Sequence, residues 1–149
     1  MLKKYTVVFF LCLVSLSAAY SQSVSPQSGA TLLNRANDLY IEGKFLKAII
    51  LYRKSLQRGA PPVSTSINIG NSYYRMQKLP EAAASFRKAV RYSEGESVTA
   101  LFNLAGVLYH LKQYGECIAV YHRALDLDVE NIGGWLYLAE AYSKTKDFV

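Results

Sequence analysis

A period of about 34 residues, carried along most of the chain, constrains the fold more than any other feature of this sequence. The pattern is plainest between Ser64 and Val98. Ile69, Tyr73 and Met76 fall at i, i+4 and i+7, one face of a helix. Ala82, Phe86, Ala89 and Val90 fall at i, i+4, i+7 and i+8, a second such face. Polar Arg75, Gln77 and Lys78 separate the two, and Pro80 suits the first turn of the second helix, where its missing N–H costs nothing. The stretch therefore predicts a helix–turn–helix pair. Neither helix is long enough to be stable alone in water, so each needs a neighbour over its apolar stripe.

The same pair recurs on both sides. The residues 34 before Gly70, Ala82, Phe86 and Val90 are Ala36, Ala48, Tyr52 and Leu56; those 35 after are Ala105, Cys117, Tyr121 and Leu125. Small stays small, aromatic stays aromatic and aliphatic stays aliphatic. A fourth copy begins, with Ala139 34 beyond Ala105 and Tyr142 34 beyond Leu108. Such a period is the signature of a stacked helical repeat. The extra residue between the second and third copies fits in Ser93-Glu94-Gly95-Glu96, a turn-rich loop where an insertion is cheap. The small columns are expected to let paired helices approach closely, and Tyr52, Phe86 and Tyr121 to fill the space between one pair and the next.

On these residues the chain resembles the tetratricopeptide repeat (TPR) family. The family pattern sets an aromatic before Leu-Gly, then Tyr, then Ala-x-x-x-Phe. Trp135-Leu136-Tyr137-Leu138-Ala139-Glu140-Ala141-Tyr142 matches its first half, with Ala for Gly; Ala48-x-x-x-Tyr52, Ala82-x-x-x-Phe86 and Cys117-x-x-x-Tyr121 match its second. Leu32, Ser66 and Leu101 stand where Trp135 stands in the last copy, and the loop proline appears only as Pro61-Pro62. The resemblance covers Gly29 to the C-terminus. It implies an all-α fold, a right-handed α-solenoid of antiparallel helix pairs with three repeats and the first helix of a fourth. It also implies a scaffold or adaptor that binds other proteins rather than an enzyme.

The N-terminal segment reads differently. Met1 to Tyr5 is a short basic region, Thr6 to Ala19 an apolar run, and small residues follow. This is the pattern of a secretory signal peptide, residues 1–21, with cleavage after Ala19 or, preferably, Ser21. The run is short for a spanning helix, and an uncleaved anchor is the alternative. Residues 22–29 read as a flexible tail and 30–149 as the repeat domain, with repeats at about 29–62, 63–97 and 98–131 and a partial one at 132–149. The expected location is the periplasm or cell envelope of a bacterium, with membrane contact only in transit. Removing Lys3 and Lys4 leaves 15 basic residues against 11 acidic ones, a modest net charge of +4. These are spread through every repeat and form no stripe of the kind nucleic acid requires. Cys117 would then be the only cysteine, standing in a small-residue column as a buried apolar group.

Helices are expected at about 30–42, 45–58, 63–77, 79–92, 97–112, 114–127 and 131–145. Phe148 lies 34 beyond Tyr114, where a second helix begins, so the last helix is either a cap or the start of a longer array; its apolar Trp135, Leu138 and Tyr142 favour the latter. No catalytic residues, cofactor or metal ligands are expected. His110 and His122 fall on different helices without partners at ligand spacing and read as solvated. No small-molecule substrate is implied.

One set of columns points to a partner. Asn34, Asn68 and Asn103 recur at the repeat spacing, Asn37 and Asn71 follow one turn later, and Tyr40, Tyr74 and Tyr109 with Phe102 run beside them. By the resemblance, first helices line the concave groove, so these residues would face a protein or an extended peptide. An amide offers donor and acceptor together and can pair with a backbone of any sequence. The alternative is that the asparagines bridge neighbouring helices. Asn68, at the centre, is expected to matter most for binding. Leu33, Thr99 and Asn103 stand where basic residues would clamp a C-terminal carboxylate, which argues against that mode. The last helix could also mediate self-association, the structural or assembly alternative.

Overall fold

The computed structural model describes residues 27–146. The segment read as a signal peptide, most of the tail after it, and Phe148 lie outside the described residues. Within them the chain is all α: α1 (Gly29–Ile41), α2 (Phe45–Gln57), α3 (Pro62–Arg75), α4 (Leu79–Tyr92), α5 (Val98–His110), α6 (Tyr114–Leu127) and α7 (Ile132–Lys146). Each packs on the next in sequence, and the first helices of successive pairs also touch, α1 with α3 and α3 with α5. This is a solenoid of antiparallel helix pairs. Among the described residues no helix is long and apolar enough to cross a membrane.

The turns show why the helices stop where they do. Within the three pairs, Gly43, Gln77 and Lys112 hold the same left-handed position, with φ of 75°, 59° and 59°. The next N–H then reaches back to a carbonyl of the final turn: Lys44 to Leu39 at 2.8 Å, Lys78 to Tyr73 at 2.9 Å and Gln113 to Leu108 at 2.9 Å. The terminal carbonyls are thereby satisfied inside a three-residue turn. Only the first repeat places glycine there; Gln77 and Lys112 carry the steric cost of a Cβ at positive φ. The inserted residue is absorbed between α4 and α5, where Glu94 and Gly95 both have positive φ.

The small columns do what their size requires. Ala36, Ala48, Ala82, Ala105 and Cys117 are fully buried. A Cβ on Gly70 would stand 2.5 Å from the Phe86 ring, so the aromatic of α4 lies directly on the bare backbone of α3. Tyr52, Phe86 and Tyr121 are buried as well. Ala139, the fourth member of the first column, is exposed, because among the described residues no second helix covers α7. The apolar core falls into two clusters. A small one joins Ala36, Ala48, Ile49, Tyr52 and Ile69; a larger one runs from Ala82 to Ala141.

Two substitutions in one repeat should move stability in opposite directions. Gly70→Ala forces Phe86 out of its place and should cost ~1–3 kcal/mol. Gln77→Gly relieves the left-handed residue and should gain ~0.5–1 kcal/mol. Urea midpoints at unchanged slope measure both; a Gly70→Ala protein as stable as the parent would contradict this packing.

Candidate functional site: an aromatic groove along the first helices

A broad concavity runs along the first helices. A groove of about 780 Å³ separates α5 from α7. Helix α5 supplies Phe102, Asn103, Gly106, Tyr109 and His110 to its wall, and α7 supplies Gly133, Gly134, Tyr137 and Glu140. Tyr121 of α6 forms part of the floor, and Thr99, Asp128 and Asn131 part of the lining. A second hollow of about 270 Å³ continues toward α3, where Asn71 and Tyr74 join Phe102, Asn103, Gly106 and His110. The larger hollow is in the size range of ordinary ligand sites.

Local chemistry fixes the walls. Asn131 caps α7: its side-chain oxygen accepts from Gly134 N at 2.9 Å while its amide nitrogen donates to Asp128 Oδ2 at 2.9 Å. Trp135 Nε1 donates to Val129 O at 2.8 Å and ties the same loop to the helix. A Cβ on Gly134 would stand 2.6 Å from Phe102, so glycine lets α7 close on α5. Tyr137 stacks on Tyr121, with ring centroids 6.3 Å apart and planes 16° from parallel. Across the groove, the Tyr109 hydroxyl donates to Glu140 Oε1 at 2.6 Å. That bond to the carboxylate, with lesser help from burial, pushes the phenol up to about 12, so it remains a donor at any physiological pH. Tyr74 Oη and His110 Nε2 lie 3.2 Å apart, joining α3 to α5.

The structure divides the residues singled out in the sequence. Asn71, Tyr74, Phe102, Asn103 and Tyr109 line the groove. Asn34, Asn37, Tyr40 and Asn68 do not. Asn34 is exposed on α1. Tyr40 packs edge-on against Phe45, with centroids 5.4 Å apart. Asn37 Oδ1 accepts from the Tyr52 hydroxyl at 2.8 Å and from Asn68 Nδ2 at 3.1 Å. In the free protein Asn37 and Asn68 therefore bridge α1, α2 and α3, and burial pushes the Tyr52 phenol up to about 12. The histidines read as solvated are exposed, and each also meets a tyrosine; His122 Nε2 is 2.9 Å from Tyr142 Oη. The Cys117 thiol donates to Ala105 O at 3.3 Å, and burial pushes it up to about 11, which makes it a poor nucleophile.

Gly106, Tyr137 and Glu140 escaped the sequence reading although the signal was present. One more period carries the column Asn34, Asn68, Asn103 to Tyr137, and the column Asn37, Asn71 through Gly106 to Glu140. Change of residue type hid the continuity.

Residues 67–132 match the family model described as tetratricopeptide repeat. Over that stretch the repeats are similar to tetratricopeptide repeats. A search of curated proteins finds no match. Among solved structures, the chain is similar to the first TPR of Spaghetti (RPAP3) bound to the HSP90 peptide SRMEEVD, with a TM-score of 0.73 and 21% identity over 83% of this chain and 97% of that one. The second TPR domain of human RPAP3, in complex with the HSP70 peptide SGPTIEEVD, gives a TM-score of 0.69 and 20% identity over 76% of this chain and 94% of that one. MamA protein gives 0.72 and 15%, over 79% and 64%. At these identities the likeness is one of fold.

The Asn37–Asn68 bridge sets a clear expectation. Asn68→Ala should lower stability by ~0.5–1.5 kcal/mol through the lost hydrogen bond. Asn37→Ala should cost more, because it also leaves the buried Tyr52 hydroxyl without its acceptor. Thermal melting of the two proteins checks the order; equal stability of both with the parent would place these amides outside the packing of the helical stack.

Proposed function

We propose that this TPR protein is a peptide-binding adaptor that holds an extended segment of a partner polypeptide along α3, α5 and α7. The observation that carries the reading is the continuous groove, walled by aromatic rings and carrying the half-buried amides of Asn71 and Asn103. Rings offer flat apolar area to any side chain, and amides offer donor and acceptor to any backbone. Three-dimensional likeness to domains whose structures contain HSP90 and HSP70 peptides supports a protein-interaction role. The chemistry of the ends differs. Those peptides finish in Glu-Glu-Val-Asp, whereas among the described residues no lysine or arginine lines either hollow here. A carboxylate-rich tail would find no cation in this groove.

The test is selection of peptides from a random library by the immobilised protein, followed by affinity measurement on groove variants. Asn103→Ala should weaken the selected peptides by ~1 kcal/mol, several-fold in Kd, and Tyr74→Ala by a similar amount, each with the fold intact by circular dichroism. Parental affinity in both variants would move the binding surface elsewhere.

The sequence of residues 1–21 supports export, with the adaptor working in the periplasm or cell envelope. N-terminal sequencing of the exported protein should begin at Gln22; a product in the membrane fraction that still begins at Met1 would replace a cleaved signal with an anchor.

A second reading rests on α7. Ile132 and Leu136 are 76% and 67% exposed, large apolar side chains on a helix that no other described residues cover on one face. Self-association or stacking on another chain through this helix is the structural alternative, and sedimentation of Leu136→Glu beside the parent distinguishes it: a monomer produced from an oligomer favours stacking.

A further inference from the structure

The groove is not uniform along its length. In the column Asn37, Asn71, Gly106, Glu140 the side chain changes from amide to nothing to carboxylate. At Gly106 the helix carries the residue least suited to its interior, a cost of ~1 kcal/mol against alanine. Packing does not call for it: a Cβ placed there meets nothing within 4 Å. What the missing side chain leaves open is the place where both hollows meet. One period on, Glu140 stands across the groove. Its Oε1 accepts from Tyr109, and among the described residues nothing donates to Oε2 and no cation pairs with it. The acidic lining comprises Glu140 and Asp128, and Asp128 is engaged by Asn131. Tyr137 precedes Glu140 by one turn, with one face on Tyr121 and 58% of its surface exposed.

We propose that this bay between α5 and α7 receives a lysine or arginine side chain of the bound peptide, its charge on Glu140 and its stem between Tyr109 and Tyr137. The inference rests on the peptide-binding reading and adds the partner's chemistry. A carboxylate with an unfilled oxygen, next to phenol rings that attract cations at their faces, is a complementary seat for one positive group. The rest of the chain sharpens the choice. Without Lys3 and Lys4 its formal net charge is +4, so a basic peptide is repelled from the general surface and attracted only where the lining is acidic.

Selection from a random peptide library by the immobilised full chain tests this, with the retained pool read by sequencing. Lysine and arginine should be enriched about fivefold at one position of the pool. Glu140→Gln keeps an oxygen for the Tyr109 hydroxyl but removes the charge, and should bring that enrichment to about unity. Glu140→Lys should turn the preference toward aspartate and glutamate, a reversal that a merely structural role of Glu140 would not produce. Gly106→Leu, at a site with room for a side chain, should fill the bay and abolish the basic preference without lowering the melting temperature. A parental pool with no basic preference overturns this inference and leaves peptide binding standing, as does a preference that survives Glu140→Gln or Gly106→Leu. A parental protein that retains no peptides overturns both.

Discussion

Contact between a ring and a bare backbone sets the dimensions of this molecule. Phe86 lies where a Cβ on Gly70 would have to be, and Ala48, Ala82 and Cys117 repeat the economy of size from the second helices. Helices that close cannot slide or rotate without a clash, since interiors pack as tightly as organic crystals. The spacing within a pair then fixes the spacing between pairs, and so the separation of the first helices along which the groove runs. Gly134 against Phe102 applies the same device between pairs, drawing α7 onto α5 at the floor of the groove.

The fold was legible because the period is a statement about packing. A position that must be small in one pair must be small in the next, so Ala36, Gly70 and Ala105 announce themselves. Helix ends were legible to within two residues, whereas the left-handed Gln77 and Lys112, which align with Gly43, were not, because their residue type does not announce a positive φ. The groove was only half legible. Reading columns finds residues that play the same role in different repeats. It does not find residues that touch across repeats, because those contacts leave the register: Asn37 reaches Asn68 and Tyr109 reaches Glu140, both 31 residues on, about one helical turn short of the period. A column of asparagines therefore contains amides that line the groove and amides that hold the stack together, and composition alone does not separate them.

Recognition and framework are distributed unequally along the repeats. The bridge of Tyr52, Asn37 and Asn68 is fully occupied by the protein's own groups. Two repeats later the equivalent positions of α5 and α7 carry Asn103, Gly106, Tyr137 and Glu140, three of them with side chains on the groove and one with none. Small changes at one helical column thus convert a structural strut into the lining of an open groove while leaving the helix pair unchanged, and one repeat geometry can in this way present different surfaces.

The division of the apolar core into two clusters has a consequence for motion. A stack in which each unit rests only on its neighbours opens from whichever end is held least. Here that end is the first repeat, whose cluster of Ala36, Ala48, Ile49, Tyr52 and Ile69 is much the smaller. Amide protons of α1 and α2 would exchange with solvent before those of α5 and α6, which lie in the large cluster. Fraying would then proceed from the side away from the groove, and α5, the helix common to both hollows, would keep its shape while the opposite end of the molecule breathes.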